Sequence, residues 1–121
     1  MKKILNVSNH TLGLDQLQEL AMMGYQVVEL PDDLKKIWGQ LTPENYHEVC
    51  HKVRDFMADN HVDATHVAGF APAVNYFVNK VSIVFDNYYA YSARDAIEVT
   101  KEDGTVVKEA KFRHKGFYKY D

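Results

Sequence analysis

Residues 2–30, KKILNVSNHTLGLDQLQELAMMGYQVVEL, contain the pattern that decides the fold class. KKILNVSN is a short apolar run that ends in polar residues, which predicts a strand followed by a loop. In TLGLDQLQELAMMGY, apolar residues recur at helical spacing and Gly24 is suited to end the helix. These apolar residues are Leu14, Leu17, Leu20 and Ala21. YQVVEL predicts a second strand, closed by Pro31, so the segment is typical of a strand–helix–strand unit in a parallel sheet.

The middle of the chain continues this alternation. PDDLKKIWGQL is expected to be a connector that includes no more than a helical turn. TPENYHEVCHKVRDFMADN predicts a helix, with Thr42 as its N-cap and Pro43 at its first position. VDATHVAGF predicts a third strand that runs into a glycine turn.

The last third of the chain is predicted to be a helix and then strands. PAVNYFVNKVSIVF carries an apolar helical stripe, but its end, VSIVF, is β-branched and is alternatively a strand. NYYAYS predicts a fourth strand, and ARDAIEVTKEDGTVVKEAKF predicts a hairpin that turns at residues 102–104. We therefore expect one domain, residues 1–121, with a three-layer Rossmann-like α/β fold. Its sheet should be mainly parallel, with a C-terminal antiparallel β-hairpin.

Composition and charge exclude several classes of protein. The chain is 46% hydrophobic and 26% charged, and no apolar run approaches the ~20 residues of a membrane helix. The opening MKKILNVSNH is too short for a signal peptide, and Cys50 is the only cysteine, so we expect a cytoplasmic protein. A net charge of −3 argues against a partner such as long nucleic acid. Residues 108–119 form a basic strip that suits a small phosphorylated ligand or is simply a solvated strand face.

HEVCH, His47–His51, matches the H-E-x-x-H pattern of zinc hydrolases. On the predicted helix, the apolar stripe consists of Tyr46, Val49, Val53, Phe56 and Met57. At 100° per residue the two histidines fall on roughly the opposite face, towards solvent. A catalytic zinc needs them in a cleft with a third ligand, and no downstream residue fits that role. We therefore expect no metal site; a weak surface site is the alternative.

In an open parallel sheet, ligands bind beyond the carboxyl ends of the strands. Ser8, Asn9 and His10 follow the first strand and offer hydrogen-bonding groups and one imidazole. The alternative is that Ser8, Asn9 or Thr11 only caps the next helix. Gly69 and Phe70 follow the third strand, where a glycine turn and a helix N-terminus suit a phosphate. An ordinary strand–helix turn is the alternative there.

Two further segments complete the predicted site. YSAR, Tyr91–Arg94, is placed after the fourth strand: Ser92 can donate to a phosphate and Arg94 can stabilise its charge, unless Arg94 forms a surface salt bridge. In KFRHKGFYKY, Lys111 and His114 alternate with aromatic residues, so some of the polar side chains must share a face with these aromatics. The residues alone predict a cation-edged crevice that suits a nucleotide or a phosphodiester and has no nucleophile–base–acid triad.

Three of these segments resemble the small Csx-type CRISPR-associated proteins of type III systems, which are stand-alone CARF-like ring nucleases. The matching pieces are N-x-[ST]-N-H at Asn6–His10, V-E-L-P at Val28–Pro31 with Leu34 and Trp38 after it, and F-x-H-x-x-F-x-x-Y at Phe112–Tyr120. Their order is also that of the family, and the likeness covers nearly the whole chain.

The resemblance implies a homodimer that binds cyclic oligoadenylate, usually cyclic tetra-adenylate, and linearises it without metal or cofactor. The ribose 2′-hydroxyl attacks the neighbouring phosphate, which switches off type III signalling. Carried over to this sequence, the catalytic residues are His10, Ser92 and Arg94. The ligand-binding residues are Ser8, Asn9, Gly69, Phe70, Tyr91, Lys111 and His114.

The sequence departs from the family at two places. VAGFAPA has Ala68 and Pro72 where the family's loop is richer in glycine, and Gly116 occupies a position where a basic residue is expected. The sequence leaves three alternatives to a nuclease, of which these departures favour the first. The first is a non-catalytic sponge for the same ligand, the second is a regulatory or assembly module that binds protein or RNA through the basic strip, and the third is the zinc enzyme.

Overall fold

The structure is a computed structural model that covers residues 1–121. Its helices are α1 (Leu14–Met22), α2 (Asp32–Trp38), α3 (Tyr46–Asp59) and α4 (Ala71–Tyr76), and α4 continues into a π turn (Phe77–Val81). Its strands are β1 (Lys2–Val7), β2 (Tyr25–Glu29), β3 (Ala64–Val67), β4 (Asp86–Thr100) and β5 (Val106–Lys119). None of the helices has the length and apolar composition that crossing a bilayer requires.

The five strands form one sheet in the order β2-β1-β3-β4-β5. The first four run parallel and β5 pairs antiparallel with β4, which confirms the predicted Rossmann-like α/β class. From β1 the chain moves outward to β2 and then returns to the other side as β3. The connections after β1 and β3 therefore diverge, and a crevice opens at the carboxyl ends of these two strands.

Helices cover both faces of the sheet and give the domain its three layers. On one face, α2, α3 and α4 enclose a cluster of 14 buried residues that includes Trp38 and Phe77. On the other face, α1 contributes Leu20 to a cluster of seven buried residues that includes Tyr88 and Phe117. The first cluster is larger because three helices pack over it, whereas α1 alone covers the second.

Three helix predictions need correction. Residues 32–38 form a helix rather than a connector, because Leu34 and Trp38 lie one turn apart and are both buried. Thr42 is not the cap of α3: the Thr42 N–H donates to the Asn45 side chain (2.8 Å) in a preceding turn, and the helix begins at Tyr46. In α1 the predicted stripe is only partly buried, with Leu14 73% exposed. The helix instead turns Glu19 and Leu20 inward, because Glu19 hydrogen-bonds to β5.

In the segment VSIVF, Val81 is the last residue of the π turn, and residues 82–85 form neither helix nor strand. The helix closes at the π turn, where the Ser82 N–H donates to the Phe77 carbonyl (2.7 Å). Buried Asn87 then donates from Nδ2 to the carbonyls of Ser82 (2.8 Å) and Phe85 (3.1 Å). These bonds hold residues 82–85 in a turn, so Ile83 and Val84 project into solvent, whereas Val81 packs partly buried against the larger core cluster.

The predicted fourth strand and the predicted hairpin are one continuous ribbon. β4 pairs with β3 only over Asp86–Tyr88, yet β4 and β5 remain paired as far as Thr100 and Val106. Residues 93–113, which we name the arm, extend beyond the carboxyl edge of the parallel sheet. The eight residues of β4 in the arm span about 27 Å at ~3.4 Å per residue.

A β-bulge interrupts the ribbon at the root of the arm. Tyr91 pairs with Gly116 and Ser92 pairs with His114, so Lys115 has no partner in β4. Because of the extra residue, His114 and Phe117 lie on the same face although they are three residues apart. The predicted turn at residues 102–104 is confirmed, with Gly104 at φ +84°.

Candidate functional site

A cavity of about 720 Å³ lies at the carboxyl ends of β1 and β3, where the connections that follow these two strands diverge. The loop after β1 contributes His10 and Leu12, and β3 and the turn after it contribute His66 and Gly69. The rest comes from α1, α4, the π turn, β4 and the C-terminus. This volume is within the usual range for small-molecule sites. About half of the lining residues are hydrophobic, and none is lysine or arginine.

Asn6 organises the wall of this cavity. Its Nδ2 donates to the His10 carbonyl (2.9 Å) and to the Glu29 carboxylate (3.1 and 3.2 Å). Its Oδ1 must therefore accept, and it receives the Ser8 hydroxyl (2.7 Å) and contacts His66 Nδ1 (3.0 Å). Since an amide oxygen cannot donate, the proton of neutral His66 lies on Nδ1. Nε2 then carries a free lone pair.

His66 is a neutral hydrogen-bond acceptor on the cavity wall. Its pKa is lowered from 6.5 to about 4, chiefly because burial disfavours the imidazolium and also because His10 and His114 are nearby. His66 Nε2 has no hydrogen-bond partner in the chain, and the only completely buried side-chain nitrogen or oxygen without a partner is His114 Nδ1. His66 Nε2 is therefore not completely buried, and His66 is one of the residues that line the cavity.

The segment Ser8–His10 contributes one residue to the cavity. His10 lines it, as expected. Ser8 is fully buried and bonds to Asn6 and to the His10 N–H (3.2 Å), so it holds the loop instead of facing a ligand. Asn9 lies outside the cavity, against Gly39. Neither Ser8 nor Asn9 caps α1, since Gly13 precedes the helix and its N–H donates to the Gln16 side chain (2.8 Å).

The turn after β3 also contributes one of its two predicted residues. Gly69 lines the cavity at φ +146°, and a Cβ there would lie 2.9 Å from Trp38 Nε1. Trp38 Nε1 in turn donates to the Ala68 carbonyl (2.8 Å), so the indole holds this turn. Phe70 does not line the cavity; its ring packs edge-on against Tyr46, with centroids 6.1 Å apart.

The remaining predicted site residues lie on the ribbon and not on the cavity wall. Tyr91, Ser92 and Arg94 lie within β4, so the expected loop after a fourth strand is wrong. Arg94 and Lys111 are exposed on the arm, and neither forms a salt bridge. The predicted grouping of these residues with Ser8–His10 is therefore not present within one chain.

His114 joins the arm to α1. Its side chain is only 7% exposed, and its Nε2 lies 2.9 Å from Glu19 Oε1. The other Glu19 oxygen accepts the Phe117 N–H (2.9 Å). His114 thus shares a face with Phe117, as the alternation of polar and aromatic residues suggested, and it positions the root of the arm.

The two histidines of HEVCH are exposed on α3, as their helical phase predicts. His47 stacks on Tyr76 with ring centroids 4.0 Å apart, and His51 Nε2 lies 2.7 Å from the Tyr76 hydroxyl. No three side chains of His, Cys, Asp or Glu are grouped closely enough to hold a metal ion. Cys50 is buried, and burial raises the pKa of its thiol to about 12.

Several cavity residues were not predicted from the sequence, namely His66, Asn75, Asn79, Tyr89 and Tyr120, and neither was Asn6, which contacts His66 from behind the lining. One signal was present in the sequence: Asn6 and His66 are polar residues inside two apolar strands. The structure pairs them in register on neighbouring strands. A buried polar residue needs a hydrogen-bond partner, so two such residues in one core indicate that they meet.

The fold and the cavity define a Rossmann-like α/β domain with a cavity at the point where the strand order reverses, which is where ligands bind in open α/β sheets. The chain belongs to the Uncharacterized protein MJ1673 family, whose model matches residues 2–118. No curated protein and no solved structure matches the chain.

Proposed function

We propose that the protein is a cytoplasmic ring nuclease of type III CRISPR defence, which binds cyclic oligoadenylate, with cyclic tetra-adenylate the first candidate, and linearises it. The observation that carries the proposal is the free Nε2 of neutral His66 beside His10 in the cavity. Two imidazoles in one cavity can accept and donate a proton in the same reaction. The sequence resemblance supplies the ligand class.

The proposed step needs no metal. The ribose 2′-oxygen forms a bond to the adjacent phosphorus as the bond from phosphorus to the 5′-oxygen breaks, which gives a 2′,3′-cyclic phosphate and a 5′-hydroxyl. His66 Nε2 accepts the proton of the 2′-hydroxyl, and His10 donates one to the leaving oxygen. A pKa near 4 makes free His66 a weak base, but an anionic phosphodiester beside it raises that pKa.

The cavity volume supports a homodimer. About 720 Å³ suits a drug-sized ligand, which corresponds to part of a four-nucleotide ring and not the whole of it. A second copy supplies a second cavity for the remaining nucleotides. Exposed apolar side chains also favour a second copy, with Leu14 73% and Phe112 77% exposed. A lone two-stranded ribbon such as the arm is only marginally stable unless it is covered.

One observation favours a sponge that binds the ring without cleaving it. No lysine or arginine lines the cavity, and Arg94 lies on the arm. Within one chain, no fixed cation is therefore available to stabilise a more negative phosphorane. Unless the second copy brings a cation to the cavity, the ligand would be held and not cut.

The test is an incubation of excess labelled cyclic tetra-adenylate with the protein in EDTA, with the products identified by their termini. The proposal expects multiple turnovers, 2′,3′-cyclic phosphate ends, and a rate at least 100-fold lower in His66→Asn. The matched control is His47→Gln, which changes a histidine on the exposed face of α3 and should retain the wild-type cleavage rate. Tight binding without product would establish the sponge. No binding of any cyclic oligoadenylate would overturn both the nuclease and the sponge, and it would favour the basic strip, residues 108–119, as the functional surface.

A dimer is checked separately by light scattering on the eluted protein with and without the ring. The proposal expects a mass of two chains and one ring per dimer. A monomer that binds one ring by itself would contradict the shared site.

A further inference from the structure

The side-chain amides of Asn75 and Asn79 form a fixed pair on the cavity wall. Asn79 Nδ2 donates to the backbone carbonyl of Asn75 (3.0 Å) and also to Asn75 Oδ1. Because a backbone carbonyl can only accept, the first bond fixes which end of the Asn79 amide is nitrogen. The second bond then fixes Asn75, whose oxygen must be the acceptor.

This arrangement leaves one free acceptor and one free donor group. Asn79 Oδ1 and Asn75 Nδ2 make no hydrogen bond within the chain, and both residues are exposed where they line the cavity. The pair lies at the junction of α4 and the π turn, and such turns are frequent at functional sites. An acceptor and a donor side by side on a rigid support can read the edge of a planar base.

The surroundings of the pair suit the faces of such a base. Val74 and Val78 line the same cavity from the helix, and Tyr89 and Tyr120 line it from the ribbon and the C-terminus. The two tyrosine rings have centroids 5.0 Å apart, and the Tyr120 hydroxyl is held by the Val67 carbonyl (2.8 Å). Aromatic side chains that are held in place in this way are good stacking partners for bases.

We propose that Asn75 and Asn79 select adenine, with Asn79 Oδ1 accepting from the N6 amino group and Asn75 Nδ2 donating to N7. This inference rests on the ligand site proposed above and adds the residues that determine its base specificity. Guanine carries an acceptor at position 6, which would face Asn79 Oδ1 without a proton between them. The mismatch should reduce affinity by about 10- to 100-fold, the usual cost of a wrong base at a paired amide contact.

The decisive variant is Asn75→Asp. A carboxylate keeps the acceptor for Asn79 Nδ2 but replaces the free donor with a second acceptor. Affinity for cyclic tetra-adenylate should fall by about 10-fold or more, and the preference for adenine over guanine in matched rings should shrink or reverse. Asn45→Asp adds the same charge at the start of α3 and retains the bond to the Thr42 N–H, so it is the matched control.

A modified ligand tests the same contact without changing the protein. A ring that contains 7-deaza-adenosine lacks the N7 acceptor, so it should bind the wild type about 10-fold more weakly. The same modification should not weaken binding to the Asn75→Asp variant any further, because this variant already lacks the donor that contacts N7.

The outcomes separate the two proposals. If the wild type binds the adenylate ring but tolerates 7-deaza-adenosine and guanine equally well, the amide pair does not read the base, although the ring nuclease or sponge stands. If the wild type binds no adenine ligand, both proposals fall.

Discussion

Replacement of His66 by asparagine should remove a large part of the acid sensitivity of folding. Asparagine retains a donor near the position of Nδ1 for Asn6 Oδ1 but cannot titrate. In the folded chain the pKa of His66 is about 4, compared with 6.5 for an ordinary histidine, so the unfolded chain binds the proton more tightly. The stability that neutral His66 contributes is therefore fully present above pH 6.5 and is lost as the pH falls towards 4.

The magnitude follows from the two pKa values. With 1.36 kcal/mol per pKa unit, the free energy of unfolding of the wild type should drop by about 2 kcal/mol between pH 7.5 and pH 5 through this group alone. Below pH 4 the full loss is about 3 kcal/mol. The His66→Asn variant should be less stable at pH 7.5, since it loses ring contact with Phe117, yet it should lose about 2 kcal/mol less on acidification.

Urea unfolding of both proteins at pH 7.5 and pH 5 measures how much free energy of unfolding each protein loses on acidification. The difference between the two losses is the contribution of His66. All other titrating groups are common to both proteins, so their contributions cancel to first order. If His66→Asn loses as much free energy on acidification as the wild type, His66 is not the buried neutral group described above.

Three further substitutions test the site and the arm. Gly69→Ala should lower the free energy of unfolding by about 2 kcal/mol, because φ is +146° and a Cβ meets Trp38 Nε1; equal melting temperatures would contradict it. Ser8→Ala should cost about 1–3 kcal/mol in urea unfolding, because a buried hydroxyl with two hydrogen bonds is lost, whereas a purely ligand-facing serine would leave stability unchanged. Glu19→Ala should speed amide hydrogen exchange at residues 114–117, because both carboxylate oxygens contact that segment; unchanged protection would show that the root of the arm is held by other contacts.

Local patterns in the sequence were sufficient for the parallel half of the fold. The alternation of apolar runs and helical stripes over residues 2–30 depends on neighbours within the same element, and these residues form β1, α1 and β2. Leu14 shows the limit of this reasoning. Helical spacing groups it with Leu20, but the contacts of Glu19 with β5 decide which face of α1 turns inward, and those contacts join residues about 95 positions apart.

The candidate site was only partly predictable for the same reason. His10 and Gly69 follow strands directly, so the general rule for open α/β sheets identifies them. His66 was missed because a histidine inside a strand becomes notable only when its register partner is known to be Asn6. Arg94 was placed after a strand end because nothing in its neighbourhood indicates that β4 continues for 15 residues.

The unpaired Lys115 makes the length of β5 as important as its composition. The bulge at Lys115 absorbs one residue between His114 and Phe117, so the two side chains keep the same face despite their odd spacing. Deletion of Lys115 would leave His114 two residues before Phe117, and the regular alternation of a strand would still place both on one face. The deletion would instead remove the bend and the added twist that a bulge gives its strand. A relative in which the histidine stands two residues before the aromatic residue should therefore carry its arm at a different angle to α1.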